Sequence, residues 1–240
     1  MKKSSYTIFL KSAFVFLFLG SWFSVFAQDI QAVQENQTIK VDSLYREDQF
    51  YIGVTYNLLR DTPEGFSKSK FSTGLSAGFL RDMPINKERT VAIASGIGFT
   101  YNNYNDNIGI TGSGQSPAYS VLVADFNKNK FSQLLVDVPI EFRWRTSTYE
   151  SYKFWRIYGG LKFSYLLYDR SIYTDSESKV VLSNNKDFNS LLYGAYVSAG
   201  YNTFNLYMYY GLNSLFKSAT LDGEKLAVKS VNVGVIFYIL

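Results

Sequence analysis

Six charged residues form the best candidate for chemistry in this chain. Asp137, Glu141, Arg143 and Arg145 lie at even spacings, and Arg156 and Lys162 follow six residues apart. Even spacing puts each group on one face of a strand. If partners across the 146–152 turn add to 299, Asp137 opposes Lys162 and Glu141 lies diagonal to Arg156. Diagonal neighbours stand about 7–8 Å apart, within reach of long side chains. Two roles fit such a set: a structural network of ion pairs that fills an interior, or a gated polar path. Hydrolysis by a carboxylate pair does not fit. Asp137 and Glu141 are separated by roughly 13 Å of strand rise, beyond the ~6.5–9.5 Å of an inverting glycosidase pair.

The composition removes most other chemistry. The 240 residues contain no His and no Cys. Imidazole bases, thiolate nucleophiles, disulfides and the commonest metal ligands are therefore absent. No catalytic set, cofactor site or metal site is expected. The sequence pI of about 9.0 misleads. Without Lys2, Lys3 and Lys11 of the first 27 residues, the formal charge falls from +4 to +1. That balance gives no basis for nucleic-acid binding.

A second candidate is the stretch 101–119, rich in Tyr, Asn, Gly and Ser. Tyr101, Tyr104 and Tyr119 are its candidate contacts, since Tyr among small polar residues makes adaptable binding surfaces. The bland alternative is a solvated loop. Gly112-Ser113-Gly114 lacks the Gly-Lys-Ser/Thr ending of a phosphate cradle and reads as a mobile loop. Lys68, Lys70, Lys128 and Lys130 border the extracellular ends of the strands, where they are ordinary interfacial charges or meet anionic lipid head groups.

Strands must position these residues. From residue 48 onward the hydrophobic period is two. Phe50, Ile52, Val54, Tyr56 and Leu58 alternate with Tyr51, Gly53, Thr55 and Asn57. The pattern recurs over 71–79, 91–101, 134–144, 155–167, 191–201, 204–212 and 231–239. One face collects 39 bulky residues, while the other collects ten glycines and leaves only Gly159 on the bulky face. An eight-stranded barrel has an interior just wide enough for small filling or one ligand. Thirty-nine large side chains cannot fit there, so the bulky face points outward to lipid. The expected fold is an all-β, eight-stranded antiparallel up-and-down transmembrane β-barrel. Tyr56, Tyr101, Trp144, Trp155, Tyr165 and Tyr201 suit its interfacial girdles.

Long connections (60–70, 103–130, 169–187, 214–227) alternate with short ones (82–88, 146–152, 202–203). Outer-membrane barrels are long-looped outside and short-turned in the periplasm. An even strand number then leaves both termini periplasmic. Pro139 interrupts the fourth strand and predicts a bulge or a missing ladder bond. The N-terminus reads as an export signal. Lys2 and Lys3 precede the apolar run 13–19, and Val25-Phe26-Ala27 offers a cleavage site before Gln28. The expected organisation is a cleaved signal peptide at 1–27, a flexible polar lead-in at 28–47 and the barrel at 48–240.

The signal, the eight short strands and the Val136-Asp137-Val138-Pro139-Ile140 segment before Phe142-Arg143-Trp144 together resemble the PorT-like outer-membrane β-barrel family of Bacteroidota. Leu240 departs from the aromatic ending usual in such barrels. The resemblance implies a non-enzymatic protein of the cell outer membrane, in contact with outer-membrane lipid and lipopolysaccharide. In its specific form it implies support of type IX protein secretion, with secretion-system proteins as partners. Two alternatives stay open: a surface binding or adhesion barrel acting through its outer loops, and a narrow channel for small solutes.

Overall fold

The computed structural model describes residues 48–123, 126–146 and 154–239. The signal peptide and lead-in expected at 1–47 lie outside these residues, as do most of the 146–152 turn and Leu240. The alternating stretches form strands: β1 (Gln49–Arg60), β2 (Thr73–Pro84), β3 (Val91–Tyr104), β4 (Ile108–Ser113), β5 (Ser116–Val121), β6 (Lys128–Arg145), β7 (Trp155–Thr174), β8 (Lys179–Ser183), β9 (Leu191–Tyr201), β10 (Phe204–Gly211), β11 (Thr220–Leu221), β12 (Glu224–Lys225) and β13 (Lys229–Ile239).

Eight of them close a ring in the order β6-β3-β2-β1-β13-β10-β9-β7, with β7 paired back to β6. Every pairing in the ring is antiparallel. The last strand meets the first from Phe50↔Ile239 to Arg60↔Lys229, so no ring edge is left open. The bulky face points out: Phe50 is 62% exposed and Leu206 64%. The intervening residues are buried, among them Tyr51, Asn57, Tyr158 and Ser198. This is the inverted pattern of a barrel whose outside is apolar and whose inside is polar.

The wall departs from the sequence expectation in two places and meets it in a third. The β6–β7 register pairs Asp137 with Ser164 and Pro139 with Lys162, two residues away from Asp137 opposite Lys162. The sequence connecting them, 147–153, contains no Gly, Asn or Pro to centre a turn, so it does not fix the register. A slip of two keeps every side chain on its face and changes only which ones meet. Second, β7 does not end near Leu167 but runs to Thr174, past a register shift between Leu134 and Leu135. Leu167 and Tyr168 are both exposed there, and Asp169 and Ser171 then turn inward. Pro139, expected to bring a bulge or a missing ladder bond, brings the second. Gly96 and Ile97, across from Pro139 and Val138, drop out of the β3–β6 ladder. The Ser95 hydroxyl donates to the Pro139 carbonyl at 3.1 Å instead.

The long connections are not plain loops. Residues 105–127 hold the β4–β5 hairpin, 175–190 hold β8 paired to β7, and 212–228 hold the β11–β12 hairpin. They converge with the upper ends of β3 and β6 on one apolar cluster that includes Tyr104, Ile108, Phe131, Leu182, Phe188, Phe216 and Leu226. Phe188 stacks on Phe216 with centroids 4.8 Å apart, and Tyr104 stacks on Phe131 at the same distance. The loop end thus has its own hydrophobic core, formed by segments whose polar composition reads as solvated loop.

Candidate functional site

The lumen network is built on β2, β6 and β7. Asp137 accepts hydrogen bonds from Thr100 and, at 2.5 Å, from Ser164, and Lys162 stands 3.6 Å away. Asp137 and Lys162 therefore meet diagonally rather than directly opposite. Glu141 takes the Arg143 Nε–H at 2.8 Å and the Tyr196 hydroxyl at 2.9 Å. The Arg143 guanidinium also lies 4.7 Å from the Tyr158 ring centroid, and the Lys162 ammonium 4.7 Å from that of Tyr209. Tyrosines thus complete the coordination that the acids begin, as buried charges require.

Asp82 is the member that sequence reasoning missed. It binds Arg143 at 2.9 Å and Arg145 at 2.9 and 2.8 Å, with all three side chains buried. Its signal was present. Gly78, Leu80 and Asp82 continue the inward alternation of β2 beyond Phe79, where the bulky pattern fades. Arg145 additionally donates its Nε–H to the Arg89 carbonyl at 3.0 Å.

Arg156 does not meet Glu141. It pairs across the ladder with Arg145, and its guanidinium is enclosed by the rings of Phe154, Tyr238 and Tyr158 at 4.4, 5.6 and 5.7 Å. Its Nε and Nη1 have no hydrogen-bond partner, so cation–π contacts hold it. Beside the network, Tyr51, Glu141, Lys162, Tyr196 and Tyr207 surround a cavity of about 20 Å³. That is room for about one water. Each lumen carboxylate is bonded to a cation or hydroxyl, so none is placed as a free base.

The three tyrosines proposed as loop contacts separate. Tyr101 sits on the outer wall between Leu75 and Leu134. Tyr104 is 1% exposed inside the loop-end core, which removes it as a surface contact. Tyr119 is half-buried, edge-on to Phe216 at 5.5 Å, and its hydroxyl accepts from Asn185 Nδ2 at 2.9 Å. Gly112-Ser113-Gly114 forms the tip of the β4–β5 hairpin rather than a mobile loop, with Gly112 at φ 83°. Lys68 lies 5.5 Å over the Tyr56 ring, which stacks on Phe71 at 4.6 Å.

At the loop end Asp106, Asp169 and Asp187 are buried. The Asp106 Oδ1 accepts the Ile108 N–H at 2.9 Å, while Oδ2 has no partner. Burial pushes its carboxyl up to about 7. Among the described residues, no group of three or more Asp or Glu side chains is arranged to hold a metal ion.

No curated protein matches the chain in sequence. Among solved structures it is similar to Ail, the attachment invasion locus protein of Yersinia pestis. That likeness has 14% identity and a TM-score of 0.37, over 81% of this chain and 99% of that one, too distant to carry an argument. The family model for the outer membrane protein beta-barrel domain matches residues 26–217. That match spans most of the ring and both halves of the lumen network, and it does not reach the narrower secretion-linked subgroup. The chain belongs to the outer membrane protein beta-barrel domain family.

Proposed function

We propose that this protein is a closed, non-enzymatic outer-membrane scaffold that works through its loop end as a binding surface. The observation that carries the reading is the shared apolar core of the long connections, from Tyr104 and Ile108 to Phe216 and Leu226. Loops that only join strands need no core. Loops that present a fixed surface to a partner gain from one, because rigidity lowers the ordering cost of binding. In this reading the loop end faces outside, and both termini and the short turns face the periplasm. The apolar wall meets outer-membrane lipid, and Lys68, Lys70, Lys128 and Lys130 meet lipopolysaccharide phosphates. The ion pairs of the lumen act as a plug, consistent with a neighbouring cavity of about 20 Å³.

The test is a gene deletion complemented by the wild-type chain or by a barrel whose four long connections are replaced by short turns. Proximity labelling at the cell surface is read together with the secreted and periplasmic proteomes. The expected result is loss of surface neighbours with the shortened barrel and no change in exported proteins. Cargo that accumulates in the periplasm, and that both complementing chains rescue equally, would instead favour the secretion role and place it at the short-turn end. In planar bilayers the purified protein is expected to stay silent, and stepwise conductance would favour the channel.

A further inference from the structure

The loop end carries a groove that neither the lumen network nor the lipid-facing wall uses. It lies between the β1–β2 connection, the end of β5 and the β11–β12 hairpin, with a volume of about 350 Å³. That is the size of a small-ligand site. Its floor is apolar, formed by Val121, Leu221 and Leu226. Leu226 is also part of the loop-end core, so the floor is anchored from beneath.

Both walls are fixed turns. Asp222 and Gly223 have φ of 52° and 87°, the two-residue turn that an Asp-Gly pair favours between hairpin strands. On the facing wall Asp61 has φ 54° and Gly65 has φ 74°. The rim is acidic, with Glu64, Asp222 and Glu224 beside Asp61 and against the single cation Lys225. Asp61 is already held by Arg60 at 3.0 Å and Lys229 at 3.1 Å. The other three rim carboxylates are left for a ligand.

An apolar floor beneath an acidic rim complements a cation on an aliphatic stem, which is the build of a Lys or Arg side chain. We propose that this groove seats an extended, Lys- or Arg-bearing segment of another protein. The stem lies on Val121 and Leu226, and the cation sits among Glu64, Asp222 and Glu224. The proposal rests on the loop end being a binding surface and names the chemistry of its partner.

The test uses the full chain in lipid nanodiscs and a fluorescein-labelled Gly-Lys-Leu-Lys-Gly peptide, followed by anisotropy. Saturable binding is expected, with none for the Gly-Glu-Leu-Glu-Gly counterpart. The double variant Asp222→Asn/Glu224→Gln should weaken it about tenfold, and added salt should weaken it further. Ala227→Trp fills the groove without changing charge and should abolish binding, whereas diffuse electrostatic attraction would survive it. Binding that is untouched by Ala227→Trp and by the double variant overturns the proposal. So does spermine binding with equal affinity and equal sensitivity to Ala227→Trp, since the occupant is then a small polyamine.

The complemented cells separate this proposal from the wider one. Surface neighbours lost with the shortened loops but kept by both groove variants would leave the binding surface standing and remove the groove. Neighbours kept even with shortened loops would remove both.

Discussion

Arg145 and Asp82 meet through two parallel N–H···O bonds of 2.9 and 2.8 Å, with both side chains fully buried in the barrel. The same carboxylate accepts a third bond from Arg143 at 2.9 Å. One anion therefore bonds two cations. Its removal takes both parallel bonds from Arg145, whereas Arg143 keeps the Glu141 carboxylate at 2.8 Å. Breaking a buried pair from one side costs about 3–5 kcal/mol. Asp82→Ala is expected to lose that much in urea unfolding of the vesicle-inserted protein. Adding Arg145→Met should return part of the loss, because the buried cation that loses two bonds is then gone. No loss from Asp82→Ala would mean that the network does not hold the wall together.

Neighbouring glycines on β7 should respond oppositely to Ala. A Cβ at Gly160 would lie 2.0 Å from the Ile140 carbonyl oxygen and 2.9 Å from the Glu141 Cα, both backbone atoms of β6. A Cβ at Gly159 meets only the Tyr196 carbonyl oxygen, at 3.7 Å. Forcing atoms into a packed site costs about 1–3 kcal/mol. Gly160→Ala is expected to lower the unfolding midpoint by that measure or to reduce the folded fraction seen as the heat-modifiable band. Gly159→Ala should stay within about 0.5 kcal/mol of wild type.

The barrel wall was legible because a period of two records facing directly. Phe50 and Tyr51 are adjacent yet opposite in size of neighbour and in exposure, and that contrast repeats around the ring. Facing also placed Asp137, Glu141, Arg143, Arg145, Arg156 and Lys162 in the lumen. Pairing was less legible, because a slip of two residues leaves every face unchanged. Glu141 therefore finds Arg143 and Tyr196 instead of Arg156. Asp82 was hidden by the end of the bulky pattern at Phe79, although its inward parity continued. The loop-end core was least legible. Tyr104, Phe131, Phe188 and Phe216 come from four separate segments, and no periodicity within any one of them shows that they meet.

The loop end should loosen as pH rises. Burial disfavours the charge of the Asp106 carboxyl and pushes it up to about 7, from an ordinary 3.8. A folded value above the unfolded one stabilises fully below about pH 4, and that stabilisation is lost as pH rises through about 7. Hydrogen exchange at β4, whose first amide donates to Asp106, should quicken between those limits. Asp106→Asn keeps an oxygen for the Ile108 N–H but cannot ionise, so its exchange rate should carry no such step. A step of the same size in the variant would assign the titration to another group.

The loop end should also unfold separately from the wall. Phe216 is 1% exposed and touches Phe188 and Tyr119 at 4.8 and 5.5 Å, and it belongs to no ring strand. Truncating a buried Phe costs about 3–5 kcal/mol. Phe216→Ala should therefore open the two connections that carry the exposed Lys186 and Lys217, while β1, β13 and the other ring pairings keep their hydrogen bonds. Trypsin is the direct probe, because cleavage at a native site follows the local opening equilibrium. Wild type should resist cleavage at Lys186 and Lys217, and Phe216→Ala should be cut there with the heat-modifiable band intact. Equal cleavage of both would mean that these connections are solvated loops without a working core, and the rigid binding surface would lose its basis. Loss of the band together with cleavage would mean that the loop end and the wall form one cooperative unit.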